Sequence, residues 1–127
     1  MMSFEATYAD RLAAAIEKKE SRLVVGIDPR LDRLPQELQG LEPEQALVAL
    51  GSGVIEAVAQ EAAAVKPQIA FFERWGWRGW RALEAVCEKA RAQGLIVILD
   101  AKRGDIGSTA SAYAQALLGE EPGTPGP

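Results

Sequence analysis

Hydrophobic residues recur along this chain in two patterns, one typical of amphipathic helices and one typical of buried strands. A four-residue repeat near the amino terminus comprises Phe4, Tyr8, Leu12 and Ile16. With polar residues between them, these positions predict a helix over roughly residues 3–19, with Ser3 as its N-cap. Similar spacing predicts helices from Pro43, over about residues 77–93 and from Ser108 or Thr109 to about Leu118.

Three short apolar runs lie between these helices and predict buried strands. They are Leu23–Ile27, the region 64–72 and Leu95–Leu99. Pro67 is unsuited to a central strand, so the second strand is predicted to end near Lys66. A helix followed by three strand–helix units predicts an α/β fold, in which helices cover a parallel sheet.

Two details of helix packing are also predicted. Gly51 and Gly53 weaken the second helix, which indicates close packing there. In the third helix, one face is predicted to carry Trp80, Leu83, Val86, Cys87 and Ala90. The cluster of Trp75, Trp77 and Trp80 favours helix packing or a subunit contact over base stacking.

The composition narrows the classes of function. The chain has 127 residues, a net charge of -4 and a single cysteine, so we expect one domain, no nucleic-acid partner and no internal disulfide. The charged amino terminus lacks the apolar run of a signal peptide, and no apolar stretch could span a bilayer. A cytoplasmic protein without a membrane partner is therefore predicted.

Histidine is absent from the sequence. That excludes Ser-His-Asp and Cys-His catalysis as well as histidine metal ligands. Acid–base chemistry would depend on Asp, Glu, Lys or Tyr.

Ionisable residues follow or end each predicted strand. Asp28 follows the first strand, Lys66 lies in the second, and Asp100 and Lys102 follow the third. The carboxyl ends of parallel strands hold the active site in α/β folds, and a lysine in a buried strand is costly unless it is paired. With Asp105 beyond a tight turn, the sequence predicts an alternating array of Lys66, Asp100, Lys102 and Asp105.

Such an array could place a carboxylate against a substrate anion and a lysine against a developing carbanion, without a cofactor. The alternative interpretation is a structural network of ion pairs at a strand end. Asp100 and Asp105 could in principle bind Mg²⁺, but the lysine between them already supplies positive charge.

The segment Asp100–Gly107 resembles the Asp-x-Lys-x-x-Asp signature of orotidine 5'-phosphate decarboxylases. Three further segments resemble a bacterial subgroup of that family common in mycobacteria: Val25–Pro29, Val65–Glu73 and Ser108–Ala114. They occur in the family's order and extend to about Leu118.

The resemblance implies a partial TIM (β/α)₈ barrel over residues 1–118, with residues 119–127 as a disordered or artificial tail. It implies decarboxylation of orotidine 5'-phosphate to UMP in pyrimidine biosynthesis, with no metal and no cofactor. A homodimer is also implied, in which Asp105, Ile106 and Thr109 reach into the neighbouring subunit's site.

The resemblance also implies a role for each side chain. Lys102 would protonate C6 of the pyrimidine after carbon dioxide leaves, and Asp100 would lie against the substrate carboxylate. Lys66 would complete the charge network and contact the ribose, and Asp28 would bind a ribose hydroxyl.

Two alternatives stay open. Keto-gulonate phosphate decarboxylases and hexulose phosphate synthases resemble the same signature but use Mg²⁺, and the segment 65–73 favours the orotidine enzyme. Alternatively, the chain is a non-catalytic truncated half-barrel, since the family's phosphate-binding loop and pyrimidine-binding serine segment belong to later strands. For that reason we expect the chain alone to be a poor catalyst.

Overall fold

The computed structural model describes residues 5–118, which form a three-stranded parallel sheet with helices packed along it. The elements are α1 (Tyr8–Lys19), β1 (Val24–Ile27), α2 (Pro43–Val58), β2 (Ala64–Pro67), α3 (Ala70–Glu73), α4 (Gly76–Ala92), β3 (Ile96–Val97) and α5 (Gly107–Leu118). Two short 3₁₀ turns, Leu31–Arg33 and Gln36–Leu38, connect β1 to α2. The predicted alternation is confirmed, with α3 as an additional single turn.

Helix α1 begins later than the sequence pattern predicts. Its N-cap is Thr7, whose hydroxyl accepts from the Asp10 backbone N–H while the Asp10 carboxylate accepts from the Thr7 backbone N–H. This reciprocal capping box defines the start at Tyr8, so the prediction of Ser3 as N-cap was wrong. Residues 1–4 and the predicted tail 119–127 lie outside the described part of the chain.

The strands pair in the order β1-β2-β3, with β2 in the centre. Gly26 is paired with Lys66, and Val65 is paired with both Val25 and Val97. Paired residues of parallel strands lie on the same face, so the three valines share the face that packs against the helical core. The described residues cover the opposite face only in part, since Ala64 is buried there while its partner Val24 is exposed. The prediction that β1 is a buried strand was wrong for this reason, since Val24 is 42% exposed.

Pro67 is the last residue of β2, one residue beyond the predicted end near Lys66. Its carbonyl accepts from the Asp100 N–H at 3.1 Å, but a proline has no N–H to donate toward the Ile98 carbonyl. The ladder between β2 and β3 is therefore interrupted after Val97 and resumes as an isolated bridge between Gln68 and Asp100. This break explains why β3 is shorter than the apolar run Leu95–Leu99.

The hydrophobic core lies between the sheet and helices α2, α4 and α5. Its largest fully buried side chains include Phe72, Leu47, Ile55 and Val86. Close packing at Gly51 is confirmed, because a Cβ there would lie 2.6 Å from Val86 Cγ2, whereas a Cβ at Gly53 would contact nothing within 4 Å.

Helix α4 buries Leu83, Val86, Cys87 and Ala90, as predicted, but not Trp80. Trp80 is 43% exposed, because the adjoining part of the buried face belongs to Gly79, where a Cβ would clash with the Phe72 carbonyl. Trp77 is also exposed, with the guanidinium groups of Arg78 and Arg81 over its ring at 5.2 and 5.3 Å. Across residues 5–118, none of the helices has the length and apolar character needed to cross a bilayer.

Candidate functional site

The backbone brings the carboxyl ends of the three strands side by side. The Gln68 N–H donates to the Ile27 carbonyl at 3.0 Å, which ties the end of β2 to β1. The Ile69 N–H donates to the Asp100 carbonyl, also at 3.0 Å, which ties it to the segment after β3. The predicted charged residues are thereby carried on neighbouring backbone segments at one edge of the sheet.

The side chains of Lys66, Asp100, Lys102 and Asp105 lie in one continuous line of contacts, which we call the charge array. Lys66 Nζ is 3.4 Å from Asp100 Oδ2, and Lys102 Nζ donates to the other oxygen, Asp100 Oδ1. Lys102 Nζ also lies 3.8 Å from Asp105 Oδ2. Positive and negative groups therefore alternate in the order that the sequence predicts.

Asp100 is the most enclosed member of the charge array. Its side chain is 13% exposed, whereas the Lys102 side chain is 57% exposed and faces open space. Hydrogen bonds from Lys102 and then Lys66 hold the pKa of Asp100 below its ordinary value, and its burial opposes them only in part. Asp100 is therefore a carboxylate at neutral pH.

The pKa of Lys102 is shifted in the opposite direction. Its hydrogen bond to Asp100, with smaller contributions from the charges of Asp105 and Tyr113, raises the pKa of Lys102 above its ordinary value. The ammonium form is therefore favoured in the free site. A proton is in place before any substrate arrives.

Asp28 lies just beyond β1, beside the charge array but outside its line of contacts. Desolvation raises the pKa of Asp28 above its ordinary value, the charges of Asp100 and Asp105 raise it further, and Lys66 opposes them. This carboxylate has no ion-pair partner among the contacts of the array. A hydrogen-bond donor placed against Asp28 would therefore stabilise its charged form.

The remaining predicted residues lie where the loop after β3 enters α5. The Ile106 N–H donates to Asp105 Oδ1 at 2.8 Å, and the Ile106 side chain projects outward with 85% of its surface exposed. Thr109 is half-buried in the first turn of α5. Asp105 contacts Lys102 of its own chain, and the predicted action of Asp105, Ile106 and Thr109 in a neighbouring subunit stays a prediction.

Two contacts around the charge array were missed by sequence reasoning. Arg103 forms a two-pronged ion pair with Glu73, with Nε and Nη2 each 2.8 Å from a carboxylate oxygen. The buried Gln68 side chain accepts from the Tyr113 hydroxyl at 2.9 Å and from the Ala70 N–H at 3.4 Å. These partners are 30 and 45 residues apart in the chain, so no local spacing signals them.

The acidic groups of the site do not form a metal-binding cluster among the described residues. Across residues 5–118, no three Asp, Glu or Cys side chains converge in a way that could hold a metal ion. Both oxygens of Asp100 already accept from ammonium groups. The predicted lack of a metal and of a cofactor stays a prediction.

The arrangement can perform one kind of chemistry without further groups. A negative substrate group against Asp100 would be repelled, while Lys66 and Lys102 would stabilise negative charge that develops close by. Because Lys102 is both charged and exposed, it can donate a proton to a carbon or oxygen atom placed above it.

Residues 21–121 match the family model described as Orotidine 5'-phosphate decarboxylase / HUMPS family. A relative from Deinococcus radiodurans, named orotidine 5'-phosphate decarboxylase, is 47% identical over 113 residues, which cover 89% of this chain and 39% of the relative. A relative of the same name from Streptomyces coelicolor is 46% identical over 112 residues, covering 87% and 39%.

The fold is also similar to solved structures. The structure of Leishmania donovani UMP synthase matches with a TM-score of 0.62 and 38% identity, covering 90% of this chain and 23% of that one. The predicted fold class is confirmed: three parallel strands with flanking helices form part of a (β/α)₈ barrel. The chain spans about two fifths of the length of the curated relatives it matches.

Proposed function

Because the chain belongs to the Orotidine 5'-phosphate decarboxylase / HUMPS family, we propose that it carries the catalytic charges of an orotidine 5'-phosphate decarboxylase, which forms UMP in pyrimidine biosynthesis. The observation that supports this most strongly is the charge array itself. Two lysines and two aspartates alternate at one edge of a parallel sheet, at the positions where the family's signature occurs in the sequence.

In this proposal Asp100 and Lys102 perform the chemistry. The substrate carboxylate binds against Asp100, and repulsion between the two anions raises the energy of the bound substrate. The bond between C6 and the carboxyl carbon breaks, carbon dioxide leaves, and the electron pair remains at C6. Lys102 stabilises that charge and transfers its proton to C6, giving UMP. The low pKa of Asp100 and the raised pKa of Lys102 support these assignments.

Lys66 and Asp28 are assigned to the ribose. Lys66 pairs with Asp100 and still has 39% of its side chain exposed, so it can contact substrate and array together. Asp28 accepts a hydrogen bond from a ribose hydroxyl, which supplies the donor that its position beside the array lacks.

We further propose a homodimer in which Asp105, Ile106 and Thr109 reach the neighbouring subunit's site. The support is the surface at the start of α5, where Ile106 exposes 85% of an apolar side chain beside the charge array. The cytoplasmic location predicted from the sequence stays a prediction.

The alternative within the family is a magnesium-dependent sugar-phosphate decarboxylase or aldolase. The observation against it is the engagement of both Asp100 oxygens by lysine ammonium groups, which leaves that carboxylate poorly suited to a cation. The alternative of a non-catalytic half-barrel is consistent with the partial exposure of β1, where Val24 is 42% exposed.

One experiment tests the proposal against both alternatives. Residues 1–118 are joined to the part of the Deinococcus radiodurans relative that this chain does not match, and decarboxylation of orotidine 5'-phosphate is followed by ultraviolet absorbance. We expect turnover that a metal chelator does not change. A folded but inactive protein, beside an active parent relative, would contradict the proposal, and activity that requires Mg²⁺ would favour the alternative.

A further inference from the structure

Arg103, the neighbour of Lys102, forms an ion pair with Glu73 that is separate from the charge array. The Arg103 guanidinium donates through Nε and Nη2 to the two oxygens of Glu73, each at 2.8 Å. Its third nitrogen, Nη1, donates to the Ala101 carbonyl at 3.2 Å. One side chain thus joins the loop after β3 to the last residue of α3.

The position of this ion pair connects the two segments that carry the lysines. Glu73 ends α3, which follows directly from the strand that holds Lys66. Arg103 is the neighbour of Lys102 in the loop. The pair therefore closes a ring of contacts, with Lys66 and Asp100 on one side and Glu73 and Arg103 on the other.

The backbone at Arg103 adopts an unfavourable conformation. Its φ angle is +64°, a left-handed conformation that a residue other than glycine adopts at a cost. The turn points the Lys102 and Arg103 side chains to different partners, Lys102 toward Asp100 and Arg103 toward Glu73. The ion pair with Glu73 offsets the cost of a turn that the loop needs in order to present Lys102.

The chemistry of the pair favours positioning over simple charge neutralisation. A guanidinium and a carboxylate with two parallel hydrogen bonds fix both distance and orientation, which a lysine in the same place would not. The Glu73 side chain is only 14% exposed, so the contact is partly shielded from solvent.

We propose that Arg103 and Glu73 are positioning residues, which hold the loop 101–105 so that Lys102 stays in contact with Asp100 and near Asp105. Neither residue is assigned a contact with substrate. The inference rests on the proposed function for its catalytic meaning, because only that proposal makes the placement of Lys102 important.

The test uses the 127-residue chain and two readouts that need no turnover. NMR backbone order parameters are measured over residues 101–107, and the pKa of the Lys102 ammonium is measured by NMR titration. Asp100, Asp105 and Tyr113 are the groups whose charges act on Lys102. The variants are Glu73→Gln, which keeps the size but removes the charge, and Arg103→Lys, which keeps the charge but loses the two-pronged geometry.

We expect both variants to lower the backbone order parameters of the loop from about 0.85 toward 0.6, and the pKa of Lys102 to fall toward its ordinary value. The control is Glu56→Gln, which removes an ion pair with Lys89 between α2 and α4 and should change neither readout. Unchanged loop order parameters and an unchanged Lys102 pKa in Glu73→Gln would overturn the inference. Loss of the whole fold in both variants would also overturn it, because the pair would then serve overall stability.

The result is distinguishable from a failure of the proposed function. If the grafted enzyme described above is inactive while these variants loosen the loop, the decarboxylase proposal fails and the positioning inference stands. In an active grafted enzyme, Glu73→Gln should lower kcat by about tenfold with little change in KM, since the substrate contacts are retained.

Discussion

Asp28 and Asp32 are four positions apart after β1, yet their surroundings shift their acidities in opposite directions. Desolvation raises the pKa of Asp28, and the Arg30 guanidinium lowers the pKa of Asp32. The stability that neutral Asp28 supplies is fully present below its unfolded pKa, near 4, and is lost as the pH rises through the raised native pKa. At neutral pH the charged Asp28 carboxylate therefore lowers the stability of the folded chain.

We predict that Asp28→Asn raises the unfolding midpoint of the chain at about pH 7, and that the gain disappears at about pH 3, where both forms are neutral. Thermal unfolding across this pH range measures the effect. Asp32→Asn is the matched control, with the opposite sign, because the lowered pKa of Asp32 contributes stability that is lost as the pH falls. A lower midpoint for Asp28→Asn at neutral pH would contradict the prediction.

The same substitution should weaken substrate binding if Asp28 accepts from the ribose. A residue that costs stability and contributes to binding is expected at functional sites. In the grafted enzyme, Asp28→Asn should raise KM more than it lowers kcat.

The charged residues of the site could be predicted individually, but the ion pair between Arg103 and Glu73 beside them could not. Asp100 and Lys102 end an apolar strand and Lys66 interrupts another, so elementary burial costs single them out. Glu73 follows an apolar run and Arg103 lies in a polar loop, and for both a solvated side chain is the ordinary interpretation. Only the folded chain brings them to 2.8 Å.

Helix α2 contains two glycines, two residues apart, whose surroundings differ. Gly51 lies against Val86 of α4, where an added Cβ would be 2.6 Å from Cγ2, and Gly53 faces open space. Helix propensity favours alanine over glycine equally at both positions, so any difference between them reports packing.

We predict that Gly51→Ala lowers the free energy of unfolding by about 1–3 kcal/mol, because the α2–α4 contact must open. Gly53→Ala should raise it by roughly 0.5–1 kcal/mol, as a helix-interior glycine is replaced in open space. Urea unfolding of the two variants measures both values. Equal stabilities would show that α2 and α4 do not pack as closely as described.

The elements themselves followed from the pattern of apolar residues, with errors at their ends. The capping box of Thr7 and Asp10 was overlooked because the helical repeat continues through Phe4. The shortening of β3 could not be predicted from its own residues, since its cause is the missing N–H of Pro67 on the neighbouring strand. The length of β3 therefore depends on the residues of its neighbour β2 as well as on its own.

The whole molecule leaves apolar surface open on the described residues. Besides Ile106, the side chains of Leu117 and Leu118 are 50% and 82% exposed along α5. Of these residues, Ile106 lies beside Asp105 of the charge array, and it is the basis for the proposed dimer.

We predict that the chain sediments as a dimer and that Ile106→Lys converts it to a folded monomer, because a charge would be buried at the contact. Leu41→Lys is the control, since Leu41 is also exposed but lies in the loop before α2. Analytical ultracentrifugation with circular dichroism measures mass and fold together. A wild-type monomer, or a dimer that persists in Ile106→Lys, would contradict the proposed interface.

The 127 residues cover 39% of the Deinococcus radiodurans relative, and the charge array lies within them. An enclosed site makes electrostatic effects stronger than an open one. We therefore predict that the 127-residue chain alone decarboxylates orotidine 5'-phosphate far more slowly than the grafted enzyme.

The most direct measurement is the decarboxylation rate of the grafted enzyme with Lys102→Ala, beside Lys18→Ala, an exposed lysine in the last turn of α1. If Lys102 delivers the proton to C6, its removal should lower kcat/KM by roughly a hundredfold to ten-thousandfold, the range for a positioned proton donor. The Lys18 variant should match the parent. Equal rates for the two variants would contradict a catalytic role for Lys102, and the charge array would then be a structural network of ion pairs.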